Sequence, residues 1–336
     1  MAPPAREHRP WRWVSCFVCL PALIAILLAG CARAAAPGPV TIRSLRGPPL
    51  LIAEPPGAIV ERRIIARVPT AALATDVDYV YFGDLARDEL HAAPKRGGDH
   101  IRIGERAPLA IAIGERITWI GAPGNVVLAS DVGGRERGAS SVLMQTKGTF
   151  TDVASDSRVV LVTDAMRSGG VLAQSSSVRT ALDVRPLELA IDAVNAYVLS
   201  ERAIHAVPRT GGAPRVVLEG DDLSGLEVAG GFIFTTRQAG RSRELIRLPT
   251  TGKGAPVVLE RAVRRAPFAV FAEEVYFLNG DQPELRRVAA LGGPSGMVAR
   301  AAELARATAL VVDGSGIYLA TEDEIGPVVL GLPRPP

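Results

Sequence analysis

The sequence predicts an all-β fold, a seven-bladed β-propeller of four-stranded blades closed by an N-terminal strand, on three observations. A hairpin pattern recurs seven times at a near-constant period, a second glycine-rich landmark keeps that period, and helical 3.6-residue periodicity is absent from the repeated region. In each recurrence an apolar alternating stretch ends in Asp, Gly or Ala. An aromatic or β-branched stretch begins two or three residues later. The turn residues are Asp76, Gly114, Asp156, Asp192, Ala229, Ala272 and Asp313, spaced 38, 42, 36, 37, 43 and 41 residues apart. The second landmark reads PKRGGD from residue 94, DVGGRERG from 131, PRTGGAP from 208, PTTGKGAP from 249 and ALGGPSG from 290.

Each unit holds four short β runs. In the second they are LAIAI (109–113), ITWIGA (117–122), NVVLASD (125–131) and SSVLMQ (140–145). A single four-stranded sheet cannot bury both of its faces, whereas sheets stacked around an axis bury them and keep open edges short. The last unit offers three runs, 308–313, 316–321 and 327–332, and ERRIIARV (61–68) precedes the first hairpin. The ring is therefore expected to close with one N-terminal and three C-terminal strands in the seventh blade. Six blades is the alternative, should the weak third unit merge with a neighbour.

The aromatic second strands (YVYF, ITWI, VYFL, IYLA) resemble those of YWTD, NHL and TolB-type propellers over about residues 60–332. The likeness lies in the pattern, without a full YWTD tetrapeptide or a Trp-Asp signature. It implies a fold and a habit of binding other molecules, not an activity.

Upstream of the repeats, Arg6, Arg9 and Arg12 precede an apolar run from Val14 to Ala29, interrupted at Pro21. The run is shorter than the ~20 residues a spanning helix needs, and small residues follow it, the layout of a secretory signal. Leu28-Ala29-Gly30-Cys31 resembles the bacterial lipobox. That resemblance implies cleavage before Cys31, diacylglycerol on its thiol and acylation of the new amino group, giving a stable membrane anchor. An ordinary cut near Ala34–Ala36 is the alternative. Ala32, standing where an Asp retains some lipoproteins at the inner membrane, favours the outer one. The expected order is a signal peptide at 1–30, a lipidated N-terminus and tether at 31–58, and the propeller at 59–336, exported and lipid-anchored to the cell envelope. Cys16, Cys19 and Cys31 are the three cysteines, so the folded domain is expected to stand without a disulfide.

The formal net charge is +3, and residues 1–30 hold three arginines against Glu7. The remainder is near neutral, which argues against a nucleic-acid binder with its concentrated basic face. Three of the 38 basic residues are lysines, a bias of composition rather than of function.

His91, His100 and His205 form no cluster with ligand spacing, so neither metal nor cofactor is expected. No Gly-x-Ser-x-Gly or Walker loop occurs, and Ser315 sits in a tight Asp-Gly-Ser-Gly turn. An arginine recurs just before the first strand of four units: Arg106, Arg185, Arg265 and Arg306. Asp221 and Asp222 hold the matching place in another unit. In a propeller these loops share one channel mouth, so the six residues are candidates for binding an anionic ligand. The competing account has each arginine salt-bridged or solvated. The first strands read as almost purely apolar and small. No catalytic residue is assigned, since an enzyme would need paired carboxylates or a histidine on those strands.

The expected function is a non-enzymatic envelope lipoprotein, a propeller scaffold that binds a protein or anionic ligand and meets the membrane through lipid on Cys31. One alternative is an envelope hydrolase or lyase acting on polysaccharide at the channel mouth. A structural assembly factor, by likeness to TolB-type propellers, is another.

Overall fold

The computed structural model describes residues 41–44, 59–131, 140–156, 159–166, 169–174 and 179–335. Cys31 and the export signal lie outside them. The described residues belong to one compact unit, 37–336.

They form seven sheets, six of them antiparallel and built in chain order from the inside outwards, and a seventh that combines both ends of the described chain. The innermost strands are Leu73–Thr75, Pro108–Ile113, Thr149–Ser155, Glu188–Ile191, Ser224–Ala229, Val263–Phe271 and Ala309–Val312, heading blades 1 to 7. Each packs beside the next, and the last returns to the first, so the inner strands make a closed ring. The fold is thus the expected seven-bladed propeller, and the third unit is a blade of its own. The six-bladed alternative is excluded.

Blade stacking buries what a lone blade leaves wet. Among the described residues the core divides into seven apolar clusters, one for each seam between neighbouring blades. The seam of blades 1 and 2 encloses Tyr81, Leu90 and Ile103 of one with Ile117 and Trp119 of the other. Fully buried Trp119 donates its indole N–H to the Arg106 carbonyl at 3.0 Å, so its polar atom is satisfied. Burying each such aromatic is worth roughly 2–3 kcal/mol.

The seventh blade is composite. Ile59–Ala66 pairs antiparallel with Pro327–Leu332, with Ile64 opposite Leu330. Thr41–Ser44 adds a parallel strand outside it, placing four residues of the segment read as tether against the blade. Arg62 pairs with Glu303, both buried, and ties the closing strand to the 3-10 turn Ala302–Arg306.

The turn aspartates also have a structural task. Asp76 Oδ1 accepts the N–H groups of Asp78 and Tyr79, while Oδ2 accepts the Tyr81 hydroxyl at 2.6 Å. Asp192 repeats this with Val194, Asn195 and Tyr197. A basic residue then bridges adjacent turns. Arg209 donates to the Asp192 carbonyl of its own blade and pairs with Asp156 of the preceding one at 2.6 Å. Lys95 does the same with the Asp76 carbonyl and with Asp313, which links blade 1 to blade 7 across the closure. The recurring Pro-Lys/Arg landmark is therefore an inter-blade latch.

Candidate functional site

Strand order fixes where the two ends of the channel lie. The four innermost strands of every blade alternate in direction, so the loops leading into the inner strands share one face of the ring. Arg106, Arg185, Asp221, Asp222, Arg265 and Arg306 all stand in or beside those loops. Arg106 is exposed, adopts φ 68° and donates to the Ala122 carbonyl at 3.1 Å. Arg185, Asp221 and Arg306 are exposed on their own blades. Two of the six meet: Arg265 pairs with Asp222 at 3.1 Å across the seam of blades 5 and 6. Asp222 also pairs with Arg243, whose guanidinium donates to Ser224 and Thr236 in the same blade.

Below this mouth the structure corrects the reading of the inner strands as almost purely apolar. Three of them carry a carboxyl group: Asp152, Glu188 and Glu227. Asp152 and Glu188 each stand four residues before their turn aspartates, Asp156 and Asp192, and so occupy one level of the ring. Glu227 stands two residues before Ala229, which matches Asp192 in hairpin register. It lies one pleat further down, about 7 Å along the strand, on the same strand face. Small residues hold the corresponding places of other blades, including Ala110 and Ala309 at the upper level and Ala112, Ala154, Ala190 and Ala269 at the lower. The carboxyl groups therefore have room.

The two upper acids are held by the next blade. Asp152 Oδ2 accepts the Leu189 N–H at 2.7 Å, and Glu188 Oε1 accepts the Gly225 N–H at 3.0 Å. Gly225 is required there, because its φ is +71° and a Cβ would lie 2.3 Å from the Phe268 ring. All three acids are half-buried.

Their electrostatics follow from that placement. Desolvation pushes the Asp152 carboxyl up to about 7, against the pull of its backbone hydrogen bonds, and the charge of Glu188 raises it further. Desolvation pushes Glu227 up to about 8, reinforced by Glu188 and by Asp152 two blades away. Burial raises Glu188 as well, while the Arg265 guanidinium at the mouth lowers it. At neutral pH Glu227 keeps its proton and Asp152 is near its midpoint, chiefly because burial disfavours their charged forms, with the neighbouring carboxylates adding to that. Chemically the cluster can donate hydrogen bonds, give up a proton or take one.

Sequence reasoning missed these acids, though a signal existed. Aligning the units on their turn residues leaves Asp152, Glu188 and Glu227 as charged residues at positions otherwise filled by Ala, Gly, Val or Phe. The histidines stand apart from the channel acids. His91 stacks on Phe82 and meets His100 edge-on at 4.9 Å, and burial lowers its pKa. Among the described residues no group of three His, Cys, Asp or Glu is placed to hold a metal ion.

No protein-family model and no curated protein sequence matches the chain. Solved structures do match in shape. Virginiamycin B lyase from Staphylococcus aureus superposes with a TM-score of 0.63 at 9% identity, covering 82% of this chain and 99% of that one. The β-propeller domain of Cps50 (Swd1) from Myceliophteria thermophila gives 0.61 at 10% identity, covering 82% and 100%. Hydrazine synthase of Kuenenia stuttgartiensis gives 0.60 at 10% identity, covering 78% and 95%. At such identities the likeness is one of fold.

Proposed function

We propose that the protein is a non-enzymatic lipoprotein of the cell envelope whose propeller is a binding scaffold for a protein or small ligand, held at the outer membrane by lipid on Cys31. One observation carries the reading: the strand that closes the ring, Ile59–Ala66, lies towards the outer edge of blade 7. A lipid anchor upstream of that strand holds the ring by its rim and leaves both channel mouths open to partners. The seven clustered seams supply the rigidity a scaffold needs, and the charged mouth supplies contacts. Cys31→Ser is expected to abolish detergent partitioning of the exported protein. Unchanged partitioning contradicts the anchor.

The channel acids favour a second reading, an envelope hydrolase or lyase acting on polysaccharide. Carboxyl groups at about 7 and 8 are poised for proton transfer near neutral pH. Virginiamycin B lyase shows that a propeller of this shape can host a lyase. Turnover of a glycan panel by the native protein, lost in Glu188→Gln, would establish this reading over the scaffold.

A further inference from the structure

The inner strand of blade 6 differs from its neighbours. Val263 pairs with Asn279, and the next pair is Phe268 with Phe277, so residues 264–267 stand against Leu278 alone. Two non-glycine residues there adopt the left-handed region, Ala262 just before the bulge at φ 54° and Ala266 within it at φ 42°. Such backbone is costly and persists where the surroundings demand it. The bulge presents two arginines to two different seams. Arg265 turns towards blade 5 and pairs with Asp222, whereas Arg264 turns towards blade 7 and donates one N–H to the Leu304 carbonyl at 2.9 Å.

Arg264 has no charge partner among the described residues. The acids around it are committed elsewhere: Glu284 to Arg286 and Arg300, Glu303 to Arg62, Asp222 to Arg243 and Arg265. Burial lowers the pKa of the half-buried guanidinium, and no carboxylate opposes that shift. A desolvated, unpaired cation is expensive to keep, and most of its planar donor array is unused.

The same guanidinium lines a cleft of about 340 Å³ between blades 6 and 7. Asn279, Asp281 and Gln282 form one wall, and Ala302 and Ala305 of the 3-10 turn leave space on the other. The Asn279 side-chain oxygen accepts the N–H groups of Asp281 and Gln282, which leaves its amide nitrogen to donate. Asp281 sets a negative charge on the rim, beyond ion-pair reach of Arg264, and disfavours a doubly charged guest.

We propose that this cleft binds a small singly charged carboxylate, either a free organic acid or the end of a peptide, clamped by the Arg264 guanidinium. The inference goes beyond the scaffold reading and does not depend on lipidation. The test follows the backbone amide signals of 279–282 and 302–305 by NMR during titration with acetate, N-acetylalanine, N-acetylalanine amide or inorganic phosphate. Both carboxylates should shift these signals saturably. Tighter binding of N-acetylalanine than acetate marks a peptide end, and equal binding marks a free acid. Arg264→Gln should weaken binding at least tenfold, and Arg261→Gln, at an exposed arginine of the preceding strand, should leave it unchanged. If Arg264→Gln does not fold, Arg264→Lys takes its place and should still lose several-fold, because an ammonium cannot grip both oxygens in plane. Absence of saturation, equal response to the uncharged amide, tighter binding of phosphate, or full affinity in the Arg264 variant overturns the proposal.

Discussion

Glu227→Gln is expected to raise the melting temperature at pH 8.5 by several degrees while changing it little at pH 5. The folded protein holds Glu227 at about 8, far above an ordinary glutamate, chiefly through desolvation. Below the unfolded value both states are protonated, and the group adds no penalty. As pH rises past that value the unfolded chain ionises first, so stability falls until the folded group also ionises near pH 8. An amide cannot ionise and removes that slope. The effect is of the order of a few kcal/mol, at about 2–4 °C of melting temperature for each. Asp152→Asn should behave similarly with its window ending near pH 7, although its one amide oxygen cannot accept both the Val153 and the Leu189 N–H groups that the carboxylate accepts. Asp313 has the opposite sign. Hydrogen bonds from Lys95, Ser315 and Thr75 outweigh desolvation and hold it at about 2, so its contribution is present above pH 4 and lost towards pH 2. Thermal melts across pH check both limbs. A melting temperature independent of pH between 5 and 8.5, or a Glu227→Gln variant no more stable than the native protein at pH 8.5, would sink this expectation.

Removing the closing strand should have the larger effect. A chain beginning at residue 58 retains Ile59–Ala66 and should melt in one cooperative transition. A chain beginning at residue 68 exposes the edge of Pro327–Leu332, including buried Val328, Val329 and Leu330, and discards the Arg62–Glu303 pair. Without this strand the seam of blades 7 and 1 loses Ala66 and the flanking Ile65. The loss is roughly 5 kcal/mol or more, comparable with the whole stability of many domains, and an open apolar edge promotes association. The shorter chain is therefore expected to aggregate or to lose its sharp transition. Lys95→Ala, which breaks one latch across the same closure, should lower the midpoint by only a few degrees. Equal melts for the long and short chains would show that the ring does not need its N-terminal strand.

Much of this architecture was legible because a repeat multiplies weak signals. The hairpin turns and the glycine landmark each have local chemistry, and their shared spacing fixes seven units without knowledge of packing. The composite seventh blade followed from a unit short of one strand. The latch was visible only as spelling: Lys95 and Arg209 stand in Pro-Lys/Arg landmarks, but their target aspartates belong to the preceding blade. The site was harder to read for the same reason. Within its own strand Asp152 accepts the Val153 N–H, but its inter-blade partner, Leu189, lies 37 residues on. Glu227 gains its character from Glu188 and Asp152, whose approach depends on ring closure. Arg264 sat beside a residue the repeat did flag, Arg265. A bulge, which no periodicity encodes, sends the two side chains to different seams.

The inner-strand carboxyl groups Asp152 and Glu227 are held well above the ordinary carboxylate range by burial and by neighbouring carboxylates. Carbon-13 NMR of the side-chain carboxyl groups, titrated from pH 3 to 10 and assigned through Asp152→Asn and Glu227→Gln, tests this most directly. The signals of Asp152 and Glu227 should move with midpoints near 7 and 8, each displaced when the other is neutralised. Midpoints near 4, independent of one another, would mean that the three acids face water separately and form no common site.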